Sequence, residues 1–160
     1  MENSSSEKAV PGWMKLPSWL LSQTAAHSHR LLTEAFSSVG ARGYHYRLLA
    51  TLEEFGPASQ AELGRRSGIH LSDMVATLNE LAEESFVERT PDPSDRRRNV
   101  ISLTAAGKRR LRVLEERLAE CQDELLAPLS QADRRKLTGL LTRLQAHHDQ
   151  RAGESEGSWR

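Results

Sequence analysis

Apolar residues recur at helical spacing in five stretches of the chain and gather into short β-type runs in two others. Pro17 followed by Ser18 marks a helix start, and Leu21, Ala25, Ser28, Leu31, Leu32, Ala35 and Val39 keep a helical period until Gly40. A second helix is predicted over 44–55, with Leu48, Leu49, Leu52 and Phe55 on one face and Gly56-Pro57 ending it. A third opens at once. Ser59-Gln60-Ala61-Glu62 fits a capping box, Leu63 offers a core anchor, and Gly68 closes the segment after two or three turns. Leu71, Met74, Val75, Leu78, Leu81 and Ala82 then recur every three or four residues, which predicts a fourth, amphipathic helix. Two short helices joined by a tight Gly-containing turn have the layout of a helix-turn-helix.

Two β-type runs follow, Phe86-Val87-Glu88-Arg89 and Asn99-Val100-Ile101-Ser102-Leu103. They flank Pro91-Asp92-Pro93-Ser94-Asp95-Arg96-Arg97-Arg98, so a hairpin with an arginine-tipped loop is predicted. Thr104 caps a further helix carrying Leu111, Leu114, Leu118, Cys121 and Leu125, spaced like an a/d seam, which runs to Pro128. Ser130-Gln131-Ala132-Asp133 starts the last helix, with its stripe Leu137, Leu140, Leu141 and Leu144. A core of two short helices and one hairpin cannot also bury the stripes of three longer helices. A second copy related by a twofold axis is therefore expected to cover Leu111, Leu114, Leu118, Cys121, Leu125, Leu137, Leu141 and Leu144.

Of 160 residues, 38% are hydrophobic and 28% charged, enough for one core. A single domain at 18–148 is expected, with a partly disordered arm at 1–17 and a disordered tail at 149–160. The longest apolar runs are triplets such as Trp19-Leu20-Leu21, far short of the roughly 20 residues that cross a bilayer. With no secretory signal at the start, a cytoplasmic protein is expected. One cysteine, Cys121, leaves no intramolecular disulfide and no cysteine-based metal cluster. Lys+Arg and Asp+Glu balance at 22 each, so attraction to nucleic acid must come from local clusters. Such a cluster exists. Residues 89–112 carry eight cations against Asp92 and Asp95, a charge of +6, whereas 113–126 carry one against five, or −4. Cations concentrated on a hairpin loop and the next helix suit phosphates.

The run Leu81-Ala82-Glu83-Glu84-Ser85-Phe86-Val87-Glu88-Arg89, then Asp92-Pro93-Ser94-Asp95-Arg96-Arg97 and Leu103-Thr104-Ala105-Ala106-Gly107, resembles the MarR family of transcriptional regulators over roughly 18–148. The resemblance implies a mainly α fold with a small β-hairpin: a winged helix-turn-helix lobe at 43–103 and dimerisation helices at 18–40 and 104–148. It implies a homodimer bound to an inverted-repeat site in double-stranded DNA, most simply a ligand-responsive repressor and not an enzyme. By the family's pattern Arg97 enters the minor groove while Asp95 holds its guanidinium. The DNA-facing set is then Ser59, Gln60, His70, Ser72, Asp73, Ala76, Thr77, Asp95, Arg96, Arg97 and Arg98.

Two departures stand out. Ser85 occupies a position where the family usually has Gly, so a left-handed residue there costs roughly 1 kcal/mol more than Gly. The recognition helix 71–84 has no Arg or Lys, and so no bidentate arginine contact to guanine. Ser72 and Thr77 hydroxyls, Asp73 toward a cytosine amino group and Ala76 toward a thymine methyl remain as readers. This cation-free helix keeps a second reading open, a winged-helix protein-interaction module without operator binding.

Trp19, His27, Arg30, Tyr44, His45 and Tyr46 are candidates for a pocket taking a small aromatic acid, as in many family members, with packing as the plainer role. The six histidines lack the i, i+4 pairing of a helical metal site, and no cofactor is expected. Cys121 on the seam reads as a small buried hydrophobe.

Overall fold

The computed structural model describes residues 10–157; the part of the predicted arm at 1–9 and the tail end at 158–160 lie outside them. The chain divides after Cys121 into two compact units. In the first, a 3-10 turn at Gly12–Lys15 leads into helix α1, Pro17–Ser37, with Pro17 at the position where its missing N–H is harmless. Gly40 ends that stretch with φ 64°. Helix α2, Gly43–Phe55, stops where Gly56 turns the chain with φ 77°. Strand β1, Ala58–Ser59, precedes helix α3, Gln60–Ser67, and Gly68 in the left-handed conformation separates α3 from helix α4, Leu71–Glu83. Strands β2, Val87–Pro91, and β3, Asn99–Leu103, form the hairpin, and helix α5, Ala105–Leu125, follows.

The sheet has three antiparallel strands in the order β1-β3-β2, where the sequence led us to expect a two-stranded hairpin. Ala58 pairs Ile101 from one side and Arg89 pairs it from the other. A two-residue strand leaves no alternating pattern to read, but it ties the start of the helix-turn-helix to the wing. Phe36, Leu48, Leu49, Leu52, Leu63, Ile69, Met74, Leu78, Leu81, Val87 and Ile101 form the core of this lobe. Leu111 and Leu114 belong to it too, both 0% exposed within one chain. This corrects their expected place at a dimer interface: the first half of α5 closes the lobe.

The junction after α4 is a full Schellman motif. Phe86 N–H donates to Leu81 O at 2.8 Å and Ser85 N–H to Ala82 O at 2.9 Å, with Ser85 at φ 59° where glycine is favoured. The exposed Ser85 carbonyl accepts the Thr104 hydroxyl at 2.7 Å, while Thr104 Oγ1 accepts the Gly107 N–H at 2.9 Å. A Cβ on Gly107 would lie 2.0 Å from Phe86 O, so this helix start can seat against the turn only with glycine.

The second unit holds the end of α5 and helix α6, Gln131–Gly157. Ser130 caps α6, accepting from Asp133 N–H at 3.2 Å and donating to Asp133 Oδ2 at 2.6 Å. The helix continues beyond His148 to Gly157, correcting the expected tail over 149–157. Polarity suggested a tail there, yet Gln, Arg, Ala and Glu are good helix formers and no proline interrupts them. Leu140, Leu141 and Leu144 are exposed on α6, while Leu125 and Leu137 are half-buried. No helix among the described residues is long and apolar enough to cross a membrane.

Candidate nucleic-acid interface

The wing forms because its loop is hydrogen-bonded to itself. Asp92 Oδ1 accepts both the backbone N–H and the hydroxyl of Ser94, at 2.8 and 2.7 Å, and these bonds hold the Asp92 carboxyl below its ordinary pKa. Asp92 N–H donates to Arg98 O at 2.8 Å, and Arg98 N–H to Asp95 O at 2.9 Å. Asp95 Oδ1 accepts from the Arg97 backbone N–H at 3.1 Å and from Arg97 Nε at 3.2 Å. The Arg97 side chain is nevertheless 91% exposed. Its guanidinium is thus tethered through Nε, with both terminal amino groups left for an anion, and Arg96 and Arg98 are exposed beside it in the chain.

At the helix-turn-helix, Ser59 accepts from Glu62 N–H at 3.3 Å and donates its hydroxyl proton to Glu62 Oε2 at 2.9 Å. Bonds from the Ser59 backbone N–H and then its hydroxyl lower the Glu62 pKa. The Ser59 hydroxyl is therefore committed to the cap. Gln60 lines a groove of about 220 Å³ with Val75, Asn79, Arg89, Asn99 and Ile101. His70 is exposed just ahead of α4, Ser72 and Ala76 are exposed along it, and Asp73 is half-buried.

Thr77 corrects the sequence reading. It is 0% exposed, and its hydroxyl donates to Asp73 O at 2.7 Å, one turn back, so it cannot reach DNA. Its expected place on the surface is taken by Leu71, 69% exposed, and Val75, 44% exposed, both read from the sequence as core. The helix is rotated relative to the simplest apolar stripe because a threonine whose hydroxyl is satisfied by its own helix packs as an apolar residue. Asn79 Oδ1 accepts from Arg89 at 2.7 Å, linking the recognition helix to the wing stem.

On the other side of α4, Glu80 accepts from Arg42 and from His45 Nε2, the latter at 2.6 Å. His45 Nδ1 accepts the Arg42 backbone N–H at 3.2 Å, which assigns the ring proton to Nε2. The His45 bond, with Arg42 second, holds the Glu80 carboxyl below its ordinary value. No sequence signal marks Glu80, because its partners on α2 lie 35 and 38 residues away, beyond any local pattern.

The cation cluster is smaller than its sequence count. Arg110 donates to Val39 O and lies 5.6 Å from the centre of the Phe86 ring, and Arg112 pairs with Glu53 and Glu115. The wing arginines, Lys108 and Arg109 are exposed.

The predicted ligand residues do not converge. Tyr44 and Tyr46 line a largely apolar cavity of about 620 Å³ with His29, Phe36, Arg42, Arg47 and Leu118. Trp19 instead packs edge-on to Trp13 at 4.7 Å, Arg30 faces His27 one turn away at 3.5 Å, and His45 is drawn to Glu80. His29 reaches the cavity where His27 does not, because residues two apart on a helix diverge. Cys121 is buried as a small hydrophobe within one chain, which corrects its expected place at a dimer interface as for Leu111 and Leu114.

Residues 44–98, from α2 through the wing, match the model of the MarR family. A putative transcriptional regulatory protein for the hcr operon of Thauera aromatica is 31% identical over 99 residues, covering 62% of this chain and 60% of that protein. The crystal structure of a probable transcriptional regulator from Pseudomonas aeruginosa superposes with TM-score 0.72 at 29% identity, over 82% of this chain and 98% of that one. A mutant Escherichia coli MarR complexed with operator DNA shares the fold, with TM-score 0.69 at 22% identity over 79% of this chain and 91% of that one. Residues 44–98 thus carry a MarR-type domain, and the fold is the winged helix shared with regulators of that family.

Proposed function

We propose that the protein is a transcriptional regulator that binds an inverted-repeat site in double-stranded DNA as a homodimer and represses by occupying it. A cytoplasmic location follows from that role. The observation that carries the reading is the wing tip: an exposed guanidinium held at Nε by Asp95, between two further arginines, on a loop braced by its own hydrogen bonds. An ordered arginine loses little freedom on entering a minor groove, where negative potential is concentrated. The relatives named as regulators and the operator complex of a protein of the same fold support this.

The dimer rests on the apolar residues one chain leaves uncovered, Leu20 and Leu21 on α1 and Leu140, Leu141 and Leu144 on α6. Leu141→Asp with Leu144→Asp is expected to yield monomers in sedimentation, and a wild type that is monomeric at micromolar concentration overturns this part. Ligand response rests on the 620 Å³ cavity, whose aromatic walls, the His29 ring and the guanidinium groups of Arg42 and Arg47 suit a small aromatic carboxylate. The ligand is expected to loosen DNA binding by roughly 5- to 150-fold.

Fluorescence anisotropy with the DNA upstream of its own gene, at several salt concentrations, tests the central reading. Specific binding whose affinity falls linearly in log–log against salt is expected. The second reading, a protein-interaction module, draws on the cation-free α4 with its exposed Leu71 and Val75. It wins if no duplex binds.

A further inference from the structure

Base readout in a major groove uses whatever the recognition helix exposes, and α4 exposes an unusual set. From Leu71 to Glu83 it has no Lys or Arg, so a guanine cannot be read from it through a bidentate cation. The usual amide reader of adenine is also engaged, since Asn79 Oδ1 accepts from Arg89. What reaches solvent along the helix, besides Ser72, Asn79 and Glu83, is Leu71, 69% exposed, Val75, 44% exposed, and the methyl of Ala76. Leu71 and Val75 are four residues apart and so stack on one face, and Ala76 sits next to Val75.

Exposed branched aliphatics one turn apart on a polar lobe call for a covering group. The flanking chemistry identifies it. The wing presents three exposed arginines, suited to phosphates, whereas the helix itself carries the half-buried Asp73 and the exposed Glu83, which phosphates repel. A surface that is anion-seeking at its margin and apolar on the helix matches a duplex whose groove floor offers apolar groups. The only apolar group on a base edge in the major groove is the thymine C5-methyl.

We propose that Leu71, Val75 and Ala76 set specificity by packing against thymine methyl groups, so that the half-site under α4 is selected for thymine. This rests on the DNA-binding reading above. Discrimination here is hydrophobic and additive: each methyl removed from contact is expected to weaken binding about fourfold, the free energy of one buried methylene converted to a ratio.

The test uses the full-length protein and a duplex it selects from a random pool, synthesised once with thymine and once with deoxyuridine at every thymine of the half-sites. Uracil pairs identically but lacks the methyl. Wild type is expected to bind the uracil duplex at least fourfold more weakly. Leu71→Ser with Val75→Ser, at surface positions, is expected to lose most of this preference, Ala76 keeping at most its own methyl contact, while salt-dependent binding through the wing persists. Equal wild-type affinity for both duplexes overturns the proposal and leaves the DNA-binding reading standing. A thymine preference that survives undiminished in the double variant overturns the assignment to these residues. Failure of the wild type to bind any duplex overturns both.

Discussion

Removing Asp95 sets two effects of opposite sign against each other. Asp95→Ala deletes a negative charge from a surface meant for DNA. With the nearest phosphate at about 10 Å in a water-like dielectric, that deletion tightens binding by about 0.4 kcal/mol, and physiological salt reduces it further. It also deletes the acceptor shared by the Arg97 backbone N–H at 3.1 Å and Nε at 3.2 Å. The Arg97 side chain has little else to hold it, being 91% exposed, so its rotamers are released and must be ordered again on binding. Re-ordering a freed arginine and losing an exposed charged tether together loosen binding by about 1.5 kcal/mol. The difference leaves a net loosening of about 1 kcal/mol per subunit, roughly fivefold. Anisotropy titrations at fixed salt measure it, with Asp95→Asn as the informative companion. Asparagine removes the charge but keeps an acceptor oxygen, and should fall between wild type and Asp95→Ala. Tighter binding by Asp95→Ala would refute the tether and reduce Asp95 to a stray negative charge.

Gly107→Ala places a Cβ 2.0 Å from Phe86 O and 2.7 Å from Leu103 Cδ1, so thermal unfolding should show a loss of about 3 kcal/mol. Ser85→Gly relieves a left-handed serine in an intact Schellman motif and is expected to raise stability by about 1 kcal/mol, read as a higher urea midpoint with unchanged slope. Glu80, lowered by His45 and Arg42, contributes stability that is complete above its ordinary value of 4.5 and is lost as pH falls through its lower folded value. Urea unfolding between about pH 6 and 3 should therefore show a shallower acid loss for Glu80→Gln than for wild type; an identical acid limb would separate Glu80 from acid stability.

The order and type of the elements are legible in the sequence because their causes are local. Gly40, Gly56 and Gly68 turn the chain where their φ values are positive, and Ser59 and Ser130 cap the helices that begin beside them. The Asp95–Arg97 tether is local as well, two residues apart in one turn. Tertiary structure alone decided which apolar residues a neighbour covers. Leu111 and Leu114 share a seam with Leu118 in sequence, but the lobe takes the first two into its core and leaves Leu118 beside a cavity. Thr77 and Val75 exchange their expected places for a related reason. A helix satisfies a threonine hydroxyl internally, and the packing of α4 against the rest of the lobe then fixes its rotation. Arg110, Arg112 and Glu80 count as surface charges in the sequence, yet each meets partners brought near only by folding. Periodicity assigns residues to a common face, because backbone geometry repeats; what lies against that face depends on contacts between residues far apart in the chain.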